Sequence, residues 1–219
     1  MARIFKLVPR LVLGMAGISF ATAVLAADIT IGAAFPLSGP NASYGDIFGS
    51  GANLARDHIN EDGLLGEDKL KIQYEDTQAL PQQGVISMNK LVNVARVPYV
   101  LSAFTGVSKA ISTTAARTKT VAVNGGGVGP DLASLGLFFW NVIPLATDEV
   151  KAILPYLIKE KNMKKFVLVY VDDPLGEGIR KELEASLPQA GGELAESLSV
   201  PATMQQFAGI AARVRAANP

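Results

Sequence analysis

The sequence predicts an α/β protein built of parallel sheets flanked by helices. Three observations predict it. Short apolar runs alternate with stretches of helical spacing along the chain from residue 28 onward. The strand-helix-strand order repeats, and repeats of that kind form a parallel sheet covered by helices. The series then restarts after about residue 138, which implies two α/β lobes with a crossover near 138–142.

The elements follow in order. Residues 28–35 (DITIGAAF) read as a strand ended by Pro36 and the PLSGP turn. Residues 44–61 have helical spacing, 69–74 (KLKIQY) alternate at period two, and 82–95 return to helical spacing with Val85, Met88, Leu91, Val92 and Ala95 on one stripe. Residues 99–103 form a third strand, 108–117 a helix and 120–123 a fourth strand, followed by the Gly-rich turn 125–129. In the second series, 148–160 read as a helix in which Pro155 must kink or break the spiral. Residues 165–171 (KFVLVYV) are a continuous apolar run, as expected for a strand buried on both faces. Residues 178–187 are helical, 194–200 strand-like and 204–217 helical.

Ahead of this lies a secretory signal. Arg3, Lys6 and Arg10 precede an uncharged run over 11–25, and Val24 and Ala26 supply small residues before a cut between Ala26 and Ala27. The run is shorter than the roughly 20 residues of a spanning helix. The expected organisation is therefore a signal peptide (1–26), an N-terminal α/β lobe (27–141) and the start of a second lobe (142–219). Export from the cytoplasm follows.

Composition excludes several chemistries. The chain has no Cys and one His, which removes Cys nucleophiles, redox motifs and multi-histidine metal clusters. Without the signal, 17 Lys and Arg stand against 20 Asp and Glu, a net −3 that argues against nucleic acid as a partner. No nucleophile-base constellation, metal-ligand spacing or phosphate loop is legible, so no enzyme activity and no cofactor are expected.

Ligands in parallel sheets sit at the carboxyl ends of the strands, which points to four loops. The stretch 104–108 (FTGVS) opens a helix, and its free N–H groups and the Thr105 and Ser108 hydroxyls suit an anion; an ordinary N-cap is the alternative reading. The stretch 124–130 (NGGGVGP) is no dinucleotide fingerprint. Its glycines either bring the backbone close to a ligand or supply positive φ in a flexible turn. Asp172 and Asp173 could meet a cation or an ammonium group, or cap the following helix.

With these loops assembled, the chain resembles the leucine/isoleucine/valine-binding proteins of ABC transporters, which have the two-lobed type I periplasmic binding protein fold. The resemblance is carried by DITIGAAFPLSGPNASYGDIFGSGANLARDHIN, KLKIQYEDTQALPQQGV and KKFVLVYVDDPLGEG. It implies two lobes closing on a small molecule, an amino acid or related carboxylate or amide, and delivery to an ABC permease. It also implies site residues. Tyr44 matches the aromatic wall of the side-chain pocket. Thr105, Gly106 and Ser108 match the carboxylate-binding loop, which is one residue shorter here, and Gly126 and Gly127 match the small-residue turn. Val128 stands where amino-acid binders place a Thr, and Leu175 where they place a Tyr, so two polar or aromatic contacts become aliphatic.

The family continues well beyond residue 219, so the second lobe is expected to be incomplete, and the acidic partner for a ligand ammonium belongs to the part beyond. Residues 27–219 alone are expected to leave sheet edges and apolar faces uncovered, and to be marginally stable and weak in binding. A truncated remnant without binding and an exported sensor domain are the alternative functions.

Overall fold

The computed structural model describes residues 28–219. The signal peptide expected over 1–26 lies outside the described residues. Seven strands and six α-helices follow: β1 (Asp28–Phe35), α1 (Ala42–Glu61), β2 (Lys69–Asp76), α2 (Pro81–Asn89), β3 (Tyr99–Ser102), α3 (Thr105–Thr118), β4 (Val121–Asn124), β5 (Phe139–Asn141), α4 (Ala146–Pro155), β6 (Lys165–Val171), α5 (Pro174–Ala190), β7 (Glu193–Val200) and α6 (Ala208–Ala217). The helices α2 and α4 each run into a π-helical turn, Lys90–Val94 and Tyr156–Glu160. Pro155 therefore marks the end of regular α-helix in α4, as expected of a residue without an N–H.

The first sheet has the order β2-β1-β3-β4-β5, with every neighbouring pair parallel. Its β5 edge strand comes from the segment where the second series was expected to begin, yet it pairs with β4. On one face, α2, its π turn and α3 bury Met88, Leu91, Val107 and Ile111 against Val100 and Ala122. Each such fully buried large side chain contributes about 1.5–3 kcal/mol. Gly32 of β1 has no room for a Cβ, because the Leu91 side chain would lie 2.9 Å from it. On the other face, α1 sets Phe48 and Ala52 over Phe35, Ala33 and Ala103.

The second sheet is the parallel pair β6-β7. Here the expectation for 165–171 needs correction. No residue of β6 is fully buried, and Val169 and Val171 are exposed. Phe166 packs into the cluster formed by α4, its π turn and α5 (Val150, Leu154, Ile158 and Leu187), but cover on the other side is sparse. The apolar run reported strand propensity correctly; burial depends on neighbours that a local reading does not contain. Helix boundaries move as well. The helix expected over 178–187 spans Pro174–Ala190, with Asp173 as its N-cap and Gly191 in the left-handed conformation at its C-terminus. The helix expected from 204 begins at Ala208.

A carboxylate fastens the turn after β1. Asp76, at the end of β2, accepts from the N–H groups of Leu37 (2.8 Å), Ser38 (3.3 Å) and Gln78 (2.9 Å), and from Ser38 Oγ (2.5 Å). Partial burial, the largest single influence, pushes this carboxyl up. The Ser38 hydroxyl and the three N–H donors together outweigh it and hold the group below the usual carboxylate range. A depressed folded-state pKa means that the contribution is present in full above the ordinary range. It is lost as the pH falls below about 4 and through the folded value. We expect Asp76→Asn to lower the melting temperature at pH 7, and the gap from the unsubstituted protein to shrink as acid is added. A gap independent of pH would contradict this role.

Candidate functional site

The strand order reverses at β1: the chain leaves it for β2 on one side and later fills β3 on the other. The loops after β1 and β3 therefore diverge and open a crevice at their carboxyl ends. The loop after β4 forms its floor, and the start of α5, after β6, forms its far wall. The result is a cleft of about 290 Å³ lined by Asn41, Tyr44, Phe48, Ala79, Pro81, Phe104, Thr105, Gly106, Gly126, Val128, Asp173, Pro174 and Leu175. Six of the eight residues expected from the sequence line it: Tyr44, Thr105, Gly106, Gly126, Val128 and Leu175. Ser108 and Gly127 do not; both are buried just beneath.

Tyr44 stands in the first turn of α1, half exposed. Its ring meets Phe104 edge-on at 5.6 Å and stacks on Phe48 at 6.3 Å, so three aromatic rings form one wall. Phe48 lies one helical turn beyond Tyr44, a spacing that puts both on the same face. Gly45 lets this turn of α1 sit directly on the chain after β1, since a Cβ there would be 2.1 Å from the Pro36 carbonyl oxygen.

Phe104 precedes α3 with φ 66° and ψ 131°, a conformation rarely taken by a residue with a side chain. Strain of this kind persists only where the surroundings over-determine it, and it clusters at functional sites. Here it turns the ring into the cleft wall and starts the helix at Thr105. The first turn of α3 carries no side-chain cap. The N-cap alternative for Thr105 and Ser108 is therefore not what the structure has. Thr105 Oγ1 accepts from the Gly129 N–H at 3.0 Å, which leaves its hydroxyl hydrogen available to donate. The Ser108 hydroxyl is 3.0 Å from Ser102 Oγ and 3.3 Å from Asn124 Oδ1.

The residue that shapes the floor is Asn124, fully buried at the end of β4. Its Oδ1 accepts from the N–H groups of Gly126 (3.3 Å) and Gly127 (2.7 Å), and its Nδ2 donates to the Gly127 carbonyl (2.7 Å) and Asn141 Oδ1 (2.9 Å). None of the glycines at 125–129 has a positive φ, so close approach is their use. A Cβ at Gly126 would lie 2.5 Å from the Phe48 ring, and one at Gly127 2.9 Å from the Phe104–Thr105 backbone. Val128 sits where this loop meets α4, its carbonyl accepting from the Ala146 N–H at 2.7 Å.

Across the cleft, Asp173 Oδ1 accepts from the Gly176 N–H at 2.7 Å and caps α5. Gly106 packs toward Pro81 on its own side and toward Pro174 on the other; a Cβ there would stand 3.1 Å and 3.3 Å from their ring carbons. A wider, more open groove of about 670 Å³ adjoins the cleft along α3 and α5. It is lined by charged side chains, among them the ion pair Lys109–Asp131, and lacks the aromatic wall. Among the described residues no group of His, Cys, Asp and Glu is placed to hold a metal ion, and no helix is long and apolar enough to cross a membrane.

In chemical terms the cleft offers the Thr105 hydroxyl beside an uncapped helix N-terminus, where anions are favoured, under aromatic and aliphatic walls. That arrangement suits a compact molecule with an anionic head and an apolar body. Phe104, Asn124 and Phe48 escaped the sequence reading. The signal for Phe48 was its i,i+4 spacing from Tyr44.

Known proteins bear on this geometry. A family profile described as periplasmic binding protein matches residues 28–219. The Leu/Ile/Val-binding protein BraC3 of Rhizobium johnstonii is 34% identical over 80% of this chain and 48% of its own length. The Leu/Ile/Val-binding protein homolog 3 of Brucella melitensis is 28% identical over 93% of this chain and 55% of its own. Among solved structures, a leucine-binding protein of Thermotoga maritima superposes with a TM-score of 0.77 at 18% identity, covering 87% of this chain and 54% of that one. A solute-binding protein of an ABC transporter from Rhodopseudomonas palustris, in complex with 3,4-dihydroxybenzoic acid, gives 0.76 at 18% identity, covering 88% and 52%. The chain spans about half the length of the curated relatives it matches. With the parallel-sheet architecture and the profile match over all the described residues, the chain belongs to the periplasmic binding protein family.

Proposed function

We propose that this chain belongs to the solute-capture component of an ABC transporter, and that it works in the periplasm by holding a small carboxylate between two lobes that divide near residues 141 and 142. Binding and lobe closure are the function, and an inner-membrane permease recognises the liganded form. No chemical step is assigned to it. The observation that carries this reading is the convergence of the loops after β1, β3, β4 and β6 on one cleft, where the Thr105 hydroxyl stands beside an uncapped helix start.

The relatives are named for leucine, isoleucine and valine, and a structural neighbour holds a dihydroxybenzoate. Both ligands join a carboxylate to an apolar body. Tyr44, Phe48 and Phe104 favour an aromatic or branched apolar body, Val128 and Leu175 offer a ligand ammonium no side-chain acceptor, and the one carboxylate in the lining, Asp173, spends Oδ1 on the cap of α5. We therefore place aromatic and aliphatic monocarboxylates ahead of free α-amino acids. The test is Thr105→Val, which keeps the shape and removes the donor. A hydrogen bond to a charged group is worth about 1.5–3 kcal/mol, so affinity for benzoate should fall by about tenfold or more. Calorimetric titration of both proteins checks this, with leucine as the second ligand. Equal affinity before and after the substitution would remove Thr105 from the site. Leucine binding well ahead of benzoate would reverse the order of ligands.

A further inference from the structure

Resting on the carboxylate reading of the cleft, we propose that Asn41 reads a hydroxyl group on the body of the ligand, so that the site selects hydroxylated aromatic acids over their unhydroxylated counterparts. Asn41 stands at the N-cap of α1, where an asparagine side chain ordinarily accepts from an N–H of the first turn. Here it makes no such bond. Its φ of −103° and ψ of 13° depart from the extended backbone of a working cap, and the Tyr44 N–H donates to the Asn41 carbonyl at 3.1 Å instead. Half-buried in the lining of the cleft, the side chain has no hydrogen-bond partner among the described residues.

The other polar side chains of the lining have tasks already. Thr105 Oγ1 accepts from the Gly129 N–H and keeps its hydrogen for the carboxylate, Asp173 Oδ1 caps α5, and Tyr44 sets its ring against Phe48 and Phe104. Asn41 comes from the loop after β1 and Thr105 from the loop after β3, the two that diverge to open the crevice. A carboxylate held at Thr105 lays its body along Phe104 and Tyr44 toward the start of α1, where Asn41 stands. A cleft of about 290 Å³ has room for one ring with small substituents. The amide brings one acceptor and two donors, so it can pair with a hydroxyl in either sense. A methyl group in the same place displaces water from the amide and offers it no partner.

The experiment is calorimetric titration of the protein with 3- and 4-hydroxybenzoate and with their methyl counterparts, in which CH3 replaces OH at nearly the same size. One net hydrogen bond corresponds to about threefold to tenfold in affinity, the margin expected for at least one hydroxybenzoate over its methyl counterpart. Asn41→Leu should erase that margin, the loss falling on the hydroxylated ligand. Because the side chain caps nothing, the substitution should leave the melting temperature within about 1 °C, whereas loss of a working cap would lower it by about 2–4 °C. The inference is overturned if neither hydroxyl gives a margin, if the margin survives Asn41→Leu, or if the melting temperature falls as for a lost cap. In each of these cases, binding of the methylated acids leaves the carboxylate reading of the cleft standing. If none of the ligands binds, both fall together.

Discussion

Asn124→Ala is expected to destabilise the protein by about 3–5 kcal/mol, the largest effect of any single substitution considered. The side chain is wholly buried and makes bonds to Gly126, Gly127, Asn141 and Ser108. Truncation leaves the Gly127 N–H and carbonyl without their shortest partners in a buried place, and each such orphan costs about 1–3 kcal/mol. The loop 125–129 is then no longer held against Phe48 and Thr105, so the cleft loses its floor as the fold weakens. Urea denaturation reads the stability loss. Ser102→Ala serves as a control, since it removes one hydroxyl from the same cluster and should cost about 1 kcal/mol. If the two variants unfold at the same urea concentration, Asn124 does not organise the site.

Gly45→Ala should rank second, with a loss of about 2–4 kcal/mol. The added methyl would lie 2.1 Å from the Pro36 carbonyl oxygen and 2.8 Å from its carbon, both backbone atoms that no rotamer change can move. Relief requires the start of α1 to lift off the turn that Asp76 fastens. Tyr44 moves with it, away from Phe104, so ligand affinity should fall as well. The paired control is Gly51→Ala in the same helix, where an added Cβ meets nothing within 4 Å. That substitution should stabilise by about 0.5–1 kcal/mol, because alanine favours helix over glycine. A thermal melt of both variants separates steric conflict from helix propensity. If Gly45→Ala behaves like Gly51→Ala, the close seating of α1 is not what positions Tyr44.

The contrast between these residues and those read from the sequence has a physical basis. Strand β1 was legible to its last residue because an apolar run meets Pro36, and β6 because seven residues favour strand. The four loops were legible because strand order alone places them at one end of the sheet. Tyr44, Thr105 and Leu175 thus meet in the cleft as residues near strand ends. Asn124 was not legible as a hub, since a polar residue after VAV looks like any strand end, and its partners lie as far away as Asn141. The positive φ of Phe104 was equally hidden: nothing in FTGVS demands it, and the packing of Tyr44 against the ring shows only in three dimensions. Ser108 was read as a ligand donor because a hydroxyl near a helix start often is one. The helix begins three residues earlier than expected, which turns Ser108 inward to Ser102. The exposure of β6 was missed because burial is set by what packs on a strand.

The central claim is that a small carboxylate enters the cleft between Tyr44, Thr105 and Leu175. The most direct test is a backbone-amide NMR titration of the protein with benzoate, which detects binding even at millimolar Kd, about −4 kcal/mol. Saturable shifts are expected, concentrated at Tyr44, Phe104, Thr105, Gly106, Gly126, Val128 and Leu175, with Thr105→Val requiring about tenfold more benzoate or above to reach the same shifts. Shifts centred elsewhere, or none with benzoate at about 10 mM, several times such a Kd, would contradict it.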